Sequence, residues 1–449
     1  MKFTKFGKAV LVSALSVGVA LGIASCVQSY TVGFLYVTGT VTAQPTGNGI
    51  ISGFKIDHNT GKLTPINGLP ISSGGANPVR ATLITGSRFF YVLNRGANSA
   101  GNADCTTADP CRNSNITQFA VGGNGILTPQ ETFFTQGINP IRLLSDSSGN
   151  YLFVLDHDSK DNFTSTYNPT TNGCTLALGA GVKTCGDITV FQINSTTGRL
   201  QLVINAQVTS AGGQPLPYFP VPASPIDFMN SSGYVISLGG TPATGDFVFP
   251  YNYNSSNGQL TVSQNSTQPL NIHQGTAIVS GSGYVYVLDN EPIDVGGTQV
   301  SASQILPFTV GNNGALQFAV GGAVPDDPAQ SNPVQLLVES KGKWVYVAND
   351  GDNDTTTGDA QSGITGYTID PAEHTLTELP GIQFGTGAGP QCIVEDPTDQ
   401  FIYTANYYDS TVTGKALNVE TGSLTNLTKT SSFSLTGPAT WCVINGRTD

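Results

Sequence analysis

Alternating apolar and polar runs punctuated by turn residues organise the chain from about position 33 to its end. The clearest copy of the recurring unit spans 344–376. Trp344–Ala348 alternates as a strand, a polar loop follows, and Ile364–Ile369 alternates again. Asp370–Thr375 reads as a tight hairpin turn, with a third strand starting at Leu376. Seven copies carry the same two marks. One is a core residue in the first strand: Tyr36, Tyr91, Phe153, Ile236, Tyr286, Tyr346 and Tyr403. The other is a leucine after the turn: Leu63, Leu127, Leu200, Leu260, Leu316, Leu376 and Leu424. Thr-Gly and Asn-Gly pairs at such turns suit hairpins, because glycine accepts positive φ. Strand-only repeats of this length indicate propeller blades.

A third mark predicts how the ring closes. Apolar runs that open at or near a proline begin at Pro78, Pro140, Pro225, Gly275, Pro333 and Pro390, and a last one follows Pro438. The unit starting near Gly33 lacks such a run, so the C-terminal segment is expected to supply its inner strand. The fold class is therefore all-β: a seven-bladed propeller of four-stranded blades. Thr440–Asn445 is expected to pair with the strand near Phe34–Val37, which removes a free sheet edge. Length alone suggests two or three domains. The repeat overrides that prior and makes 33–449 one domain.

The N-terminus stands apart from the repeat. Lys2, Lys5 and Lys8 precede an apolar run over 9–24 that is too short to favour a membrane span. Leu21-Gly-Ile-Ala-Ser-Cys26 then has the form of a lipoprotein signal, cleaved before a lipidated cysteine. We expect a signal peptide over 1–25, a tether over 26–32 and a bacterial, membrane-anchored, extracytoplasmic protein. Loss of the three lysines takes the formal charge from −12 to −15. Such acidity argues against nucleic acid as a partner. The expected partners are the membrane, through the lipid, and a glycan, peptide or envelope protein, with the propeller itself a monomer.

Cysteine usage fits an oxidising compartment. Apart from Cys26, six remain. Cys105 and Cys111 share one polar loop, and Cys174 and Cys185 share another. Cys392 and Cys442 fall on inner strands that should be neighbours. Three disulfides are expected; the alternative is free or zinc-bound thiols, against which no C-x-x-C pair is present.

Insertions concentrate in the loops after the first strand of each unit, which marks that face as the binding face. Candidate chemistry collects there. Arg80 and Arg142 lie two residues after their prolines, and Asp227 holds the same place in its own unit. His157 and Glu291 follow strands, and His273 precedes one. Arg80 and Arg142 could polarise an anion or carbonyl, with His157 or Glu291 as base and His273 a further candidate on the same face. The alternative is a polar rim whose groups pair with each other. His58 and His374 fall in hairpin turns on the opposite face and read as solvated turn residues. Asp350, Asp352 and Asp354 alternate as oxygen donors and could hold calcium, although the EF-hand pattern fails at Thr355 and Gln361. A solvated acidic loop is the other reading. No cofactor is otherwise required.

The phrase 389–406, Gly-Pro-Gln-Cys-Ile-Val-Glu-Asp-Pro-Thr-Asp-Gln-Phe-Ile-Tyr-Thr-Ala-Asn, resembles the lactonase family, as does Val419-Glu-Thr-Gly-Ser-Leu424. That family is built on a seven-bladed propeller, and its founding activity is 6-phosphogluconolactone hydrolysis. The blades also resemble exported YVTN-type repeat propellers. The family's Tyr-Val-Leu-Asn-Glu strand end survives as Tyr286-Val-Leu-Asp-Asn-Glu291. Where its Pro-Arg-His opens an inner strand, however, this chain reads His273-Gln-Gly275, and Arg80 and Arg142 hold comparable places in other blades without a following histidine. Two function classes follow as expectations. One is an envelope binding or scaffold propeller. The other is a lactone or ester hydrolase with its site at the channel mouth.

Overall fold

The computed structural model describes residues 30–41, 48–84, 88–100, 109, 111–159, 176–177, 183–209, 213–231, 233–241, 245–262, 268–291, 293–295, 298–301, 303–327, 332–351, 362–380 and 384–446. Seven antiparallel sheets form the propeller read from the repeat. Blade 6 shows the plan: Pro333–Val338 innermost, then Trp344–Asn349, Gly363–Ile369 and Leu376–Glu378. The inner strands of blades 2, 3, 4, 5 and 7 are Pro78–Leu83, Ile138–Ser145, Pro225–Ser231, Gly275–Gly281 and Pro390–Glu395. Each touches the next around a central channel. Blade 1 takes its inner strand from Ala439–Gly446, which pairs with Thr31–Thr40 from Gly33 opposite Gly446 to Gly39 opposite Ala439. Closure is thus as expected. Cys392 of blade 7 is bonded to Cys442 on the closing strand, with Cα atoms 5.8 Å apart. Cys111 and Cys185 are also disulfide-bonded. Their expected partners, Cys105 and Cys174, lie outside the described residues.

Six sheets carry a short fifth strand beyond the expected four. Its origin is geometric. The third strand of a blade is longer than the outer strand, so half of its edge is left open. In blade 6 the outer strand covers Tyr367–Ile369, and the returning Phe384–Gly385 covers Gly363 and Ile364. Blade 2 is the exception, because its outer strand, Leu127–Phe133, already runs from Val121 back to Ile116.

Adjacent blades interlock through one repeated contact. Gly61, Gly125, Gly198, Gly258, Gly314 and Gly422 all have positive φ, two residues before each turn-leucine. A Cβ there would strike an aromatic ring of the preceding blade: Phe401, Phe34, Phe89, Tyr151, Tyr234 and Trp344 respectively. Glycine is therefore needed for both its backbone angle and its flatness. Blade 6 has His374 in this place, at φ 56°, and its ring stacks on Tyr284 at 4.4 Å. His58 likewise stacks on Tyr30 at 4.4 Å. Both histidines are packing residues rather than solvated ones.

Candidate functional site in the central channel

All seven inner strands slip by one residue against their neighbour just after they begin. The slips leave out Val79, Ile141, Ile226, Thr276, Val334, Gln391 and Thr440. A bulge re-aims the residue that follows it. The residues in that slot are Arg80, Arg142, Asp227, Ala277, Gln335, Cys392 and Trp441. Five of these, all but Ala277 and Cys392, line a cavity of about 160 Å³ in the channel, floored by Leu144, Phe228 and Val279. Gln335 and Trp441 thus join the expected Arg80, Arg142 and Asp227.

The charges there do not cancel. Arg142 donates from Nε to Asp227 at 2.8 Å and from Nη2 to the Thr276 carbonyl at 3.4 Å. Asp227 also accepts the Phe228 and Ile278 amides at 2.9 and 3.0 Å, which ties blades 3, 4 and 5 together. The Arg80 guanidinium lies 3.8 Å over the Trp441 ring. Its one hydrogen bond among the described residues runs from Nη1 to the Val79 carbonyl at 2.8 Å. Burial, then the Arg142 charge, depress its pKa, and Asp227 opposes this. Two guanidiniums facing one carboxylate leave a net positive cavity walled by low-dielectric groups.

The remaining expected residues form two separate groups. His157 Nδ1 lies 3.0 Å from Asp158 Oδ1, and its Nε2 lies 3.2 Å from Ser224 Oγ. An ionised carboxylate can only accept, so Nδ1 donates; in the neutral ring Nε2 then accepts from the serine hydroxyl. Asn139 Nδ2 steadies the other Asp158 oxygen at 3.3 Å. His273 Nδ1 pairs with Glu291 Oε2 in a short contact. Asp289 lies beside that pair, and one ligand atom from each of the three residues falls within 4.8 Å of the others, a set that could hold a divalent cation. The Asp289 oxygens already accept from the His273, Gln274 and Glu291 amides and from Gln304 Nε2. Asp350 accepts from Gln391 Nε2 at 3.0 Å, and burial pushes its carboxyl up to about 6. Asp352 and Asp354 lie outside the described residues, as does Cys26.

A sequence model described as "Lactonase, 7-bladed beta-propeller" matches residues 48–178 and 296–444. The chain belongs to the lactonase family of seven-bladed propellers. No curated protein sequence matches it. Several solved structures share the fold. A periplasmic gluconolactonase from Pseudomonas aeruginosa is 16% identical, with 92% of this chain and 99% of that one covered and a TM-score of 0.64. A candidate 6-phosphogluconolactonase from Bacteroides uniformis is 14% identical, with 93% and 100% covered and a TM-score of 0.63. A Lactobacillus plantarum protein is 15% identical, with 93% and 100% covered and a TM-score of 0.61.

Proposed function

We propose that the channel binds a small carboxylate-bearing polyol, meaning a sugar acid or the lactone that opens to one. The carrying observation is the unmatched guanidinium of Arg80 in a cavity of about 160 Å³. A carboxylate placed between Arg80 and Arg142 would restore neutrality through charge-assisted hydrogen bonds. Gln335, which also lines the cavity, would offer a polar partner for hydroxyls. Family membership and the Pseudomonas gluconolactonase likeness support this ligand class. Titration calorimetry with gluconate and with glucose tests it. Gluconate should bind and glucose should not, and Arg80→Gln should weaken gluconate at least about tenfold. Equal affinities for both sugars would refute the reading.

A second reading, lactone or ester hydrolysis, is favoured by the Ser224–His157–Asp158 chain. Ser224 Oγ would attack the lactone carbonyl as His157 Nε2 takes its proton, and Asp158 would hold the imidazole tautomer. The ring C–O bond would break with that proton passing to the leaving ring oxygen. Water deprotonated by the same imidazole would then hydrolyse the acyl-serine and return the proton to Ser224. A lactone panel followed by pH-stat tests this reading. Turnover should fall to the background rate in Ser224→Ala and in His157→Gln. Undiminished turnover in Ser224→Ala would rule out the serine route, and no turnover in the native chain would leave a binding propeller.

A further inference from the structure

The seven blades can be aligned on one more position. Opposite the residue before each core aromatic or isoleucine, the third strand carries Phe54, Phe119, Phe191, Tyr251, Phe308, Tyr367 and Lys415 in blades 1 to 7. The six aromatics are at most 5% exposed. Phe54, Phe119 and Tyr367 can be followed into the seam with the preceding blade: Phe54 against Phe401 and Tyr403, Phe119 against Phe34 and Tyr36, and Tyr367 against Tyr286. Blade 7 alone replaces this plug with a cation.

Lys415 is only 7% exposed. Its amine bonds Asn426 Oδ1 at 2.7 Å and makes no ion pair among the described residues. Burial lowers its pKa. The seam it should plug is instead a groove of about 740 Å³ between blades 6 and 7. Phe384 borders it on the blade 6 side, and Thr413, Asn426, Ser431 and Ser432 on the blade 7 side. The Ser431 and Ser432 hydroxyls have no hydrogen bond among the described residues. Asp409 lies in the same groove, but its carboxylate is held by Thr411 Oγ1 at 2.8 Å and the Ala388 amide at 3.1 Å.

We infer that this groove is a binding site for an acidic oligosaccharide, with a uronate carboxylate on Lys415 and sugar hydroxyls on Ser431, Ser432 and Asn426. Each part of the ligand answers a feature of the groove. A buried cation without a counter-charge calls for an anion. The free hydroxyls call for a polyol. The volume falls in the range of about 300–1,000 Å³ of ligand pockets and is far larger than the channel cavity. The site shares no residue with the channel site and does not depend on it.

Titration with tetragalacturonate tests the inference, with maltotetraose as the neutral control. The native chain should bind the acidic sugar and not the neutral one. Lys415→Met keeps the chain length without the charge and should weaken binding at least about tenfold. Lys415→Phe restores the plug found in six blades; it should abolish binding and raise the unfolding midpoint, which reports that the variant folds. Arg142→Gln should leave this binding intact, which separates the groove from the channel. Equal affinity for both sugars, no binding by the native chain, or full affinity in folded Lys415→Phe would overturn the assignment.

Discussion

The hydroxyl of Tyr403 in blade 7 donates to the carbonyl of Gly61 in blade 1 at 2.6 Å, across 342 positions of sequence. The same bond joins Tyr36 to Gly125, Tyr91 to Gly198 and Tyr346 to Gly422. Each runs from the core tyrosine of one blade to the turn glycine of the next. The hydroxyl of Tyr286 has no hydrogen-bond partner among the described residues, and the corresponding turn of blade 6 carries His374 in the glycine's place.

This contrast makes a pair of variants informative. Tyr403→Phe removes a buried bond and orphans the Gly61 carbonyl, so it should cost about 1–2 kcal/mol. Tyr286→Phe removes an unpartnered hydroxyl and should be neutral or slightly stabilising. Denaturant midpoints compare them directly. Equal losses in both would mean that the bond contributes nothing to blade docking.

The Cys392–Cys442 bond staples the closing strand to blade 7 over a separation of 50 residues. Replacing both cysteines with alanine should cost about 2–4 kcal/mol, because the unfolded chain regains the closed loop's freedom. Closure depends on one terminal strand, so hydrogen exchange in Ala439–Gly446 should rise first. A variant with an unchanged midpoint would show that strand pairing alone holds the ring.

Stability should also depend on pH through Asp156. It and Asp187 are fully buried side by side, and Thr189 Oγ1 lies 3.1 Å from Asp156 Oδ2. Burial pushes the Asp156 carboxyl up to about 7, against opposing hydrogen bonds from Thr135, Asp187 and Thr189. Asp246 at about 6 and Glu395 at about 7 shift the same way, also chiefly by burial. A raised carboxyl favours the fold when protonated. That contribution is complete below about pH 4, the unfolded value, and is lost as pH rises to about 7. The native chain should therefore melt higher at pH 5 than at pH 8. Asp156→Asn should shrink that difference by stabilising the pH 8 form. An identical difference in the variant would mean that Asp156 ionises normally.

Export and anchoring rest on the Cys26 signal and are tested by fractionation. The native chain should pellet with membranes, and Cys26→Ala should become soluble after signal removal. A Cys26→Ala protein that still pellets would exclude the lipid tether.

The reach of the sequence was set by periodicity. Blade number and closure were legible from three marks that recur around the ring, and the two channel arginines from their shared offset from a proline. Trp441 escaped the same rule by one position: Ala439, not Pro438, occupies the proline's slot, which moves Trp441 into line with Arg80. The short fifth strands were invisible, since two or three residues carry no periodic signal. Ser224 meets His157 across 67 positions, and nothing in the spacing of either residue announces the other. Lys415 was legible in principle, as the one cation in a column of aromatics, but only once the third strands were in register.

The channel reading is tested most directly by a crystal of the native protein soaked in gluconate. A carboxylate is expected between the Arg80 and Arg142 guanidiniums, close to Trp441. Density for gluconate elsewhere, with the space between the two arginines filled only by water, would contradict it.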